Sequence, residues 1–259
     1  MEATRAHHRT TAPSAVPVAL AGTSGAAVWW DLPPLTGLWV FVFVLSAWLL
    51  SLSLREYART RAALHGGGPS AALGSAALAP THGAHPLLNV LLPVLFLVMS
   101  GIGLPGGAAP AGRHRVPGRA RRSLVALAGP ATHALLAPAL AVPFRLGAMD
   151  QAPLAFRFAL AFVVMLQVTA ALLSLLPVPG LDGYGVLEPW LPCGLRRRLE
   201  PPAPYGLLLV FACLWIPAVD GAFWDCVYPS LEWLGVRQDD IYYGLEIFRF
   251  WQEEPVVRF

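Results

Sequence analysis

Five ionisable side chains stand inside, or at the ends of, runs that are otherwise apolar: Arg55, Glu56, Arg59, His133 and Asp182. An ionisable group in a membrane helix is costly to desolvate, so each needs a chemical or structural reason for its position. Arg55 and Arg59 are four residues apart, which puts them on one helix face with Glu56 beside them. One reading makes this the wet end of a helix, with arginines snorkelling to the surface. The other makes it a buried ionic group, in which a guanidinium answers the carboxylate of Asp182 and the two arginines balance Glu56 and Asp182. Asp182 follows Pro177, Pro179 and Gly180 and precedes Gly183, a setting that also fits ordinary turn chemistry. For His133 the simplest reading is a membrane histidine hydrogen-bonded to a neighbouring helix.

The elements that must position these residues follow from composition. Of 259 residues, 56% are hydrophobic and 13% charged, and the mean hydropathy is +0.57, far too apolar for an ordinary soluble domain. Uncharged windows run from Thr36 to Leu54, Leu87 to Gly112, Ser123 to Phe144, Phe158 to Leu181 and Pro201 to Val219. A spanning helix needs roughly 20 apolar residues, so four or five apolar segments fill most of the chain. The expected fold class is therefore an all-α polytopic membrane protein, multi-pass in the cell membrane. Cys193, Cys213 and Cys226 have no metal-like spacing and read as packing residues, which excludes a disulfide scaffold.

All 18 basic residues are arginine. Clusters from Arg55 to Arg122 and at Arg196, Arg197 and Arg198 favour the cytoplasmic side. Proline and glycine interrupt the basic stretch and apolar runs enclose it, so nucleic acid is not an expected partner. Residues 1–34, rich in Ala, Thr, Ser, Pro and Gly, are expected to be a mobile tail, residues 35–236 the membrane core, and residues 237–259 an aromatic and acidic tail at the lipid boundary. From Leu38 an unbroken helix is expected through Arg59 to the glycines at 66–68. The run from Leu87 to Gly103 contains Pro93 and ends in glycines, which fits a re-entrant half-helix with an extended return. Ser123–Phe144 and Leu154–Leu176 read as a helical pair, and Tyr205–Val236 as one bent span with an interfacial piece.

Taken together, these landmarks resemble the site-2 protease family of intramembrane zinc metalloproteases, peptidase family 50. In that family one helix ends in His-Glu-x-x-His and a later one in Asn-x-x-Pro-x-x-x-x-Asp-Gly. The first is here Arg55-Glu56-Tyr57-Ala58-Arg59, followed by Ala62-Ala63-Leu64. The second is Ser174-Leu175-Leu176-Pro177-Val178-Pro179-Gly180-Leu181-Asp182-Gly183, with serine for asparagine. Ala79-Pro80, His85-Pro86-Leu87 and Leu91-Leu92-Pro93 match the opening of the family's next apolar segment. Leu124 to Pro130 matches its third helix, where His133 stands for the usual asparagine. The resemblance runs roughly from Leu38 to Val236.

The resemblance implies a site-2-protease-like helical core with one re-entrant segment. It makes Glu56 the general-base position and Asp182 a metal-ligand position, with the other ligand positions lost at Arg55 and Arg59 and with His133 and Ser174 in the groove. Arginine has no lone pair to donate and repels a metal ion. Zinc is therefore not expected, Glu56 is expected to be idle, and the function expected is that of a pseudoprotease that binds or regulates a membrane-protein partner or transmembrane peptide. Two alternatives stay open: an active zinc-dependent endopeptidase with a metal site rebuilt from Asp182, His133 and a loop histidine (His82 or His85), and a small-solute transporter or channel.

Overall fold

The computed structural model describes residues 15–32, 34–67, 91–105 and 116–252. Three helices among them are long and apolar enough to cross a membrane: α2 (Thr36–His65), α4 (Arg119–Arg145) and α5 (Leu154–Leu175). At 1.5 Å per residue they measure roughly 45, 40 and 33 Å, against a hydrocarbon core of about 30 Å. The polar first turns of α4 and the charged last turns of α2 therefore project beyond the core. The other helices are α1 (Ala15–Trp29), α3 (Leu92–Ser100), α6 (Asp182–Leu187), α7 (Cys193–Leu199), α8 (Gly206–Leu214), α9 (Pro217–Trp233) and α10 (Gln238–Phe248).

The central element is α5, whose apolar residues from Phe158 to Leu173 are buried against α2, α4, α9 and α10. Its sequence has no polar face because it has no lipid or water face to serve. α4 contains Pro130, Pro138 and Pro143 and still stays helical through Arg145. Neighbouring helices and hydroxyl side chains can re-satisfy the carbonyls that proline frees in a membrane helix.

α3 has nine residues, with Pro93 in its first turn and Gly101 as a left-handed C-cap at φ 73°. It measures about 13 Å and cannot span. The residues that flank its surroundings show that it dips and returns. Arg121 Nη1 reaches Gly66 O at 3.5 Å, and Ala63, Val116 and Val125 form one buried cluster. The chain therefore leaves α2 and enters α4 on the same side of the membrane. Between these points Gly103 lies against the backbone of Leu166 and the ring of Trp48, deep along α5. The re-entrant segment expected from Leu87 to Gly103 has this form over its described residues, with Leu87 to Val90 outside them.

α8 and α9 meet at 95°, the bent arrangement expected for Tyr205–Val236. Gly206 packs on Pro179 O next to the Asp182 turn, whereas Gly235 lies against Arg145 at the opposite end of α4. The broken pair therefore carries the chain across once.

Two parts of the expected domain division differ in the structure. Residues 1–34 are not a tail throughout, because Ala15–Trp29 form α1, which packs along α2. Its small residues hide a helix whose hydroxyls bond internally, with Thr23 Oγ1 donating to Ala19 O at 2.8 Å, and whose Gly25 admits Phe43 at close range. Small residues are what close helix packing in lipid favours. Residues 237–252 are likewise not a peripheral tail. α10 sets Gly244 on Phe158 O, buries Phe248 between Phe41 and Phe162, and fixes Asp240 to Arg157 at 2.9 Å. Tyr242 and Trp251 remain exposed, as an interfacial position requires.

This topology has a direct check. With Cys193, Cys213 and Cys226 replaced by serine, single cysteines at Arg61 and Arg119 should react with an impermeant thiol reagent from one side of the membrane. A cysteine at Leu146, the exposed residue closing α4, should react from the other. Labelling of positions 61 and 119 from opposite faces would make α3 part of a true crossing and overturn the re-entrant assignment.

Candidate functional site

The last three turns of α2 carry Arg55 and Arg59 toward the turn that precedes α6. That turn is built by Pro177, Pro179 and Gly180. Gly180 has φ +95°, and a Cβ there would lie 2.0 Å from Ala203 O, so the sharp, crowded bend requires glycine. Leu181 then returns to an extended backbone, and Asp182 opens α6 with its side chain directed at α2.

Arg55 Nη2 donates to Asp182 Oδ2 at 2.6 Å, and Arg59 Nη2 lies 3.3 Å from Asp182 Oδ1. Each carboxylate oxygen of Asp182 thus faces one guanidinium. Glu56 completes a ring, because its Oε1 accepts from Arg55 Nη1 at 2.7 Å and from Arg59 Nη1 at 3.0 Å. Two cations and two carboxylates are matched within the group. The arginine side chains are 3% and 0% exposed, Asp182 is 3% exposed, and Glu56 at 32% is the member that meets the outside. Snorkelling is therefore not what these arginines do.

The third wall is α4, which presents Gly129 to the ring. A Cβ at this position would stand 2.7 Å from Asp182 Oδ2 and 3.2 Å from Arg55 Nε, so the absence of a side chain on α4 is what lets the ion group close. One turn along, His133 shares that face of α4. Its Nδ1 is 2.8 Å from Gln167 Oε1, and Gln167 Nε2 donates to Ser51 Oγ at 2.8 Å. Because the amide nitrogen is committed to Ser51, the oxygen must accept, and His133 carries a proton on Nδ1. The ring also stacks on Trp48 with centroids 5.8 Å apart. Ser51 is one turn from Arg55 as His133 is one turn from Gly129, so the two polar groups form consecutive rungs along α2 and α4, one closed by Asp182 of α6 and the other by Gln167 of α5.

Of the sequence-derived site residues, Arg55, Glu56, Arg59 and Asp182 meet in one contact group, and His133 sits on the next rung. Ser174 does not join either, since its hydroxyl donates to Ala171 O of its own helix at 2.9 Å. The partners Ser51 and Gln167 escaped the motif comparison, although the four-residue spacing of Ser51 from Arg55 and of His133 from Gly129 carries their signal. His65 is the exposed final residue of α2, with Nδ1 2.8 Å from Arg61 O, and His82 and His85 lie outside the described residues.

The described residues do not by themselves supply a zinc donor set. No group of three or more His, Cys, Asp or Glu side chains converges among the described residues, and both oxygens of Asp182 already face guanidinium groups. A catalytic zinc site takes three protein donors and an open position.

A helical membrane core in which a helix-end motif meets a later Pro-rich Asp-Gly turn defines the class, and the chain belongs to the site-2 protease family. Comparison with curated relatives supports this over nearly the whole length. The chain is 37% identical over 238 residues to the protein named "Putative zinc metalloprotease Rip2" of Mycolicibacterium smegmatis, covering 90% of this chain and 91% of that one. It is 36% identical over 236 residues to the proteins of the same name from two strains of Mycobacterium tuberculosis, covering 90% of each. No family model matches the chain, and no solved structure does.

Two substitutions test the ion group. Asp182→Asn leaves two buried guanidiniums against one carboxylate, and breaking a fully buried pair from one side costs about 3–5 kcal/mol, so thermal unfolding in detergent should shift markedly downward. Glu56→Gln should cost less, because solvent reaches Glu56. Gly129→Val, which inserts a side chain into the ring, should destabilise the protein in the same assay, and its effect should fall well short of additive when combined with Asp182→Asn.

Proposed function

We propose that this member of the family is a metal-free pseudoprotease that engages a membrane-protein partner or a transmembrane peptide without cutting it. The observation that carries the reading is the pair of guanidiniums on the two oxygens of Asp182. In the family pattern two histidines and this aspartate hold the metal, and the glutamate activates water on it. Here Arg55 and Arg59 supply two positive charges where the divalent metal would supply the same number. Glu56 is tied to both arginines, so its Oε1 lone pairs are committed to hydrogen bonds rather than free to take a proton from water. The site thus keeps the family's charge balance while losing its Lewis acid and its base.

A partner is the natural ligand for what remains. The helical core is held by the buried rung of His133, Gln167 and Ser51, and binding of a transmembrane segment depends on packing rather than on metal chemistry. The name of the relatives favours a second reading, a working zinc endopeptidase. Among the described residues it lacks a donor set, so it would draw on His82 or His85 together with Asp182 and His133, and would have to displace both guanidiniums. The transporter reading has little support, because the polar side chains make local contacts instead of a continuous stripe.

Metal analysis of the detergent-purified full chain separates the readings. The pseudoprotease should carry far less than one zinc per chain after brief incubation with zinc and desalting, and its melting temperature should not respond to zinc or to a chelator. Stoichiometric zinc that is lost in Asp182→Asn would refute the proposal in favour of the protease.

A further inference from the structure

Two Arg-rich elements outside the ion group are linked through one turn. Arg119, Arg121 and Arg122 lie in the first turn of α4, and Arg196, Arg197 and Arg198 in α7. The turn between α6 and α7 joins them. Ser123 Oγ donates to Val186 O at 2.7 Å and accepts from Trp190 Nε1 at 3.0 Å, while Arg196 Nη2 donates to Glu188 O at 3.2 Å. Among the described residues, the first turn of α4 and α7 together carry six arginines, with Glu188 and Glu200 the carboxylates of the connecting turn and the end of α7. Glu188 is buried, 3.8 Å from Arg196 Nε, and Arg119, Arg197 and Arg198 are exposed.

The same surface is apolar immediately below the arginines. Leu124, Leu187, Trp190 and Leu195 are all exposed, Trp190 at 59% and Leu124 at 62%. Exposed leucines belong in lipid, and an amphipathic tryptophan marks the headgroup level. α4 exceeds the hydrocarbon thickness by roughly seven residues, which sets its arginine-bearing turn at that same level. Guanidinium groups bind phosphate oxygens in a planar, paired geometry that an ammonium cannot match, and basic surfaces at helix junctions select anionic headgroups.

From this charge complementarity and its apolar footing, we infer that the junction of α4 and α7 is a binding site for the phosphate of an anionic phospholipid. The acyl chains lie along Leu124, Leu187 and Leu195, and the headgroup is held by Arg119, Arg197 and Arg198. The role is independent of whether the neighbouring ion group is catalytic.

The test uses the full chain reconstituted in phosphatidylcholine vesicles with a minor fraction of phosphatidylglycerol, followed by mild extraction and quantification of retained lipid. Wild type should retain phosphatidylglycerol at least about tenfold above its bulk fraction, a floor well below the product of three arginines that each contribute on the order of a fivefold factor near an anionic surface. Arg197→Gln combined with Arg198→Gln, two exposed changes that spare the Arg196 contact with Glu188, should remove most of that enrichment. Arg237→Gln, an exposed change at the opposite end of the molecule, should leave it intact. Retention at the bulk fraction in wild type, or equal loss in the Arg237 control, overturns the site. Inorganic phosphate added to phosphatidylcholine-only samples should not reproduce the melting shift caused by phosphatidylglycerol. If it does, the lipid assignment is wrong and the surface binds free phosphate.

Discussion

The structure depends on one electrostatic requirement: two guanidiniums held away from water must meet two carboxylates at the same depth. Arg55 and Arg59 arrive on α2 and Asp182 from a turn 127 residues later in the chain, so their pairing fixes the relative depth of the first and last parts of the membrane core. Everything between must accommodate it. The segment between α2 and α4 has to begin and end on the same side, which a nine-residue α3 and its extended return accomplish. α4 and α5 must make one antiparallel excursion. The steric condition is equally strict, since α4 can back the ion group only through the missing side chain of Gly129.

A buried ion group gains specificity more readily than stability, because the Coulombic attraction has first to repay the desolvation of every charge in it. What it does here is exclude alternatives. A one-turn slip of α2 would put Ser51 or Ala63 in place of one guanidinium at Asp182 and unbalance the charges of the group. The second rung, His133 with Gln167 and Ser51, adds a condition one turn deeper that only the same register satisfies. Trp48 and the α5 core then pack around a register already chosen by polar contacts.

On the proposed metal-free reading, this arrangement would stand in for a metal without leaving a void of charge. An aspartate left without its cation would be an uncompensated buried anion, and removing the metal alone would unbalance the core. Within the group as it stands, Arg55 and Arg59 supply that balance, with two positive charges against Asp182 and Glu56. Arg119, Arg197 and Arg198, exposed near Leu124, Trp190 and Leu195, take no part in the ion group, so the proposed lipid site and the ion group can vary separately.

Much of this was legible in residue types and order. The apolar runs gave the spanning helices, Pro93 and the following glycines gave the re-entrant segment, and the Arg55-Glu56-x-x-Arg59 and Asp182-Gly183 patterns gave the site's membership. α1 was missed because its small and hydroxyl residues look like a tail until Gly25 meets Phe43. α10 was missed as a core element because Gly244 and Phe248 reveal their role only against Phe158, Phe162 and Phe41. The sequence also left Ser174 in the groove, where the structure turns its hydroxyl back on its own helix. By itself, then, the sequence determined which segments must be in lipid and which charges must find partners there, because hydropathy and local spacing are properties of neighbouring residues. Only the tertiary structure decided that both guanidiniums go to Asp182, that Glu56 bridges them, and that Gln167 joins His133 to Ser51. Apart from the local Glu56 bridges, those contacts span 34 to 127 residues along the chain, and a hydrogen bond accurate to a few tenths of an ångström is settled by packing, not by spacing along the chain.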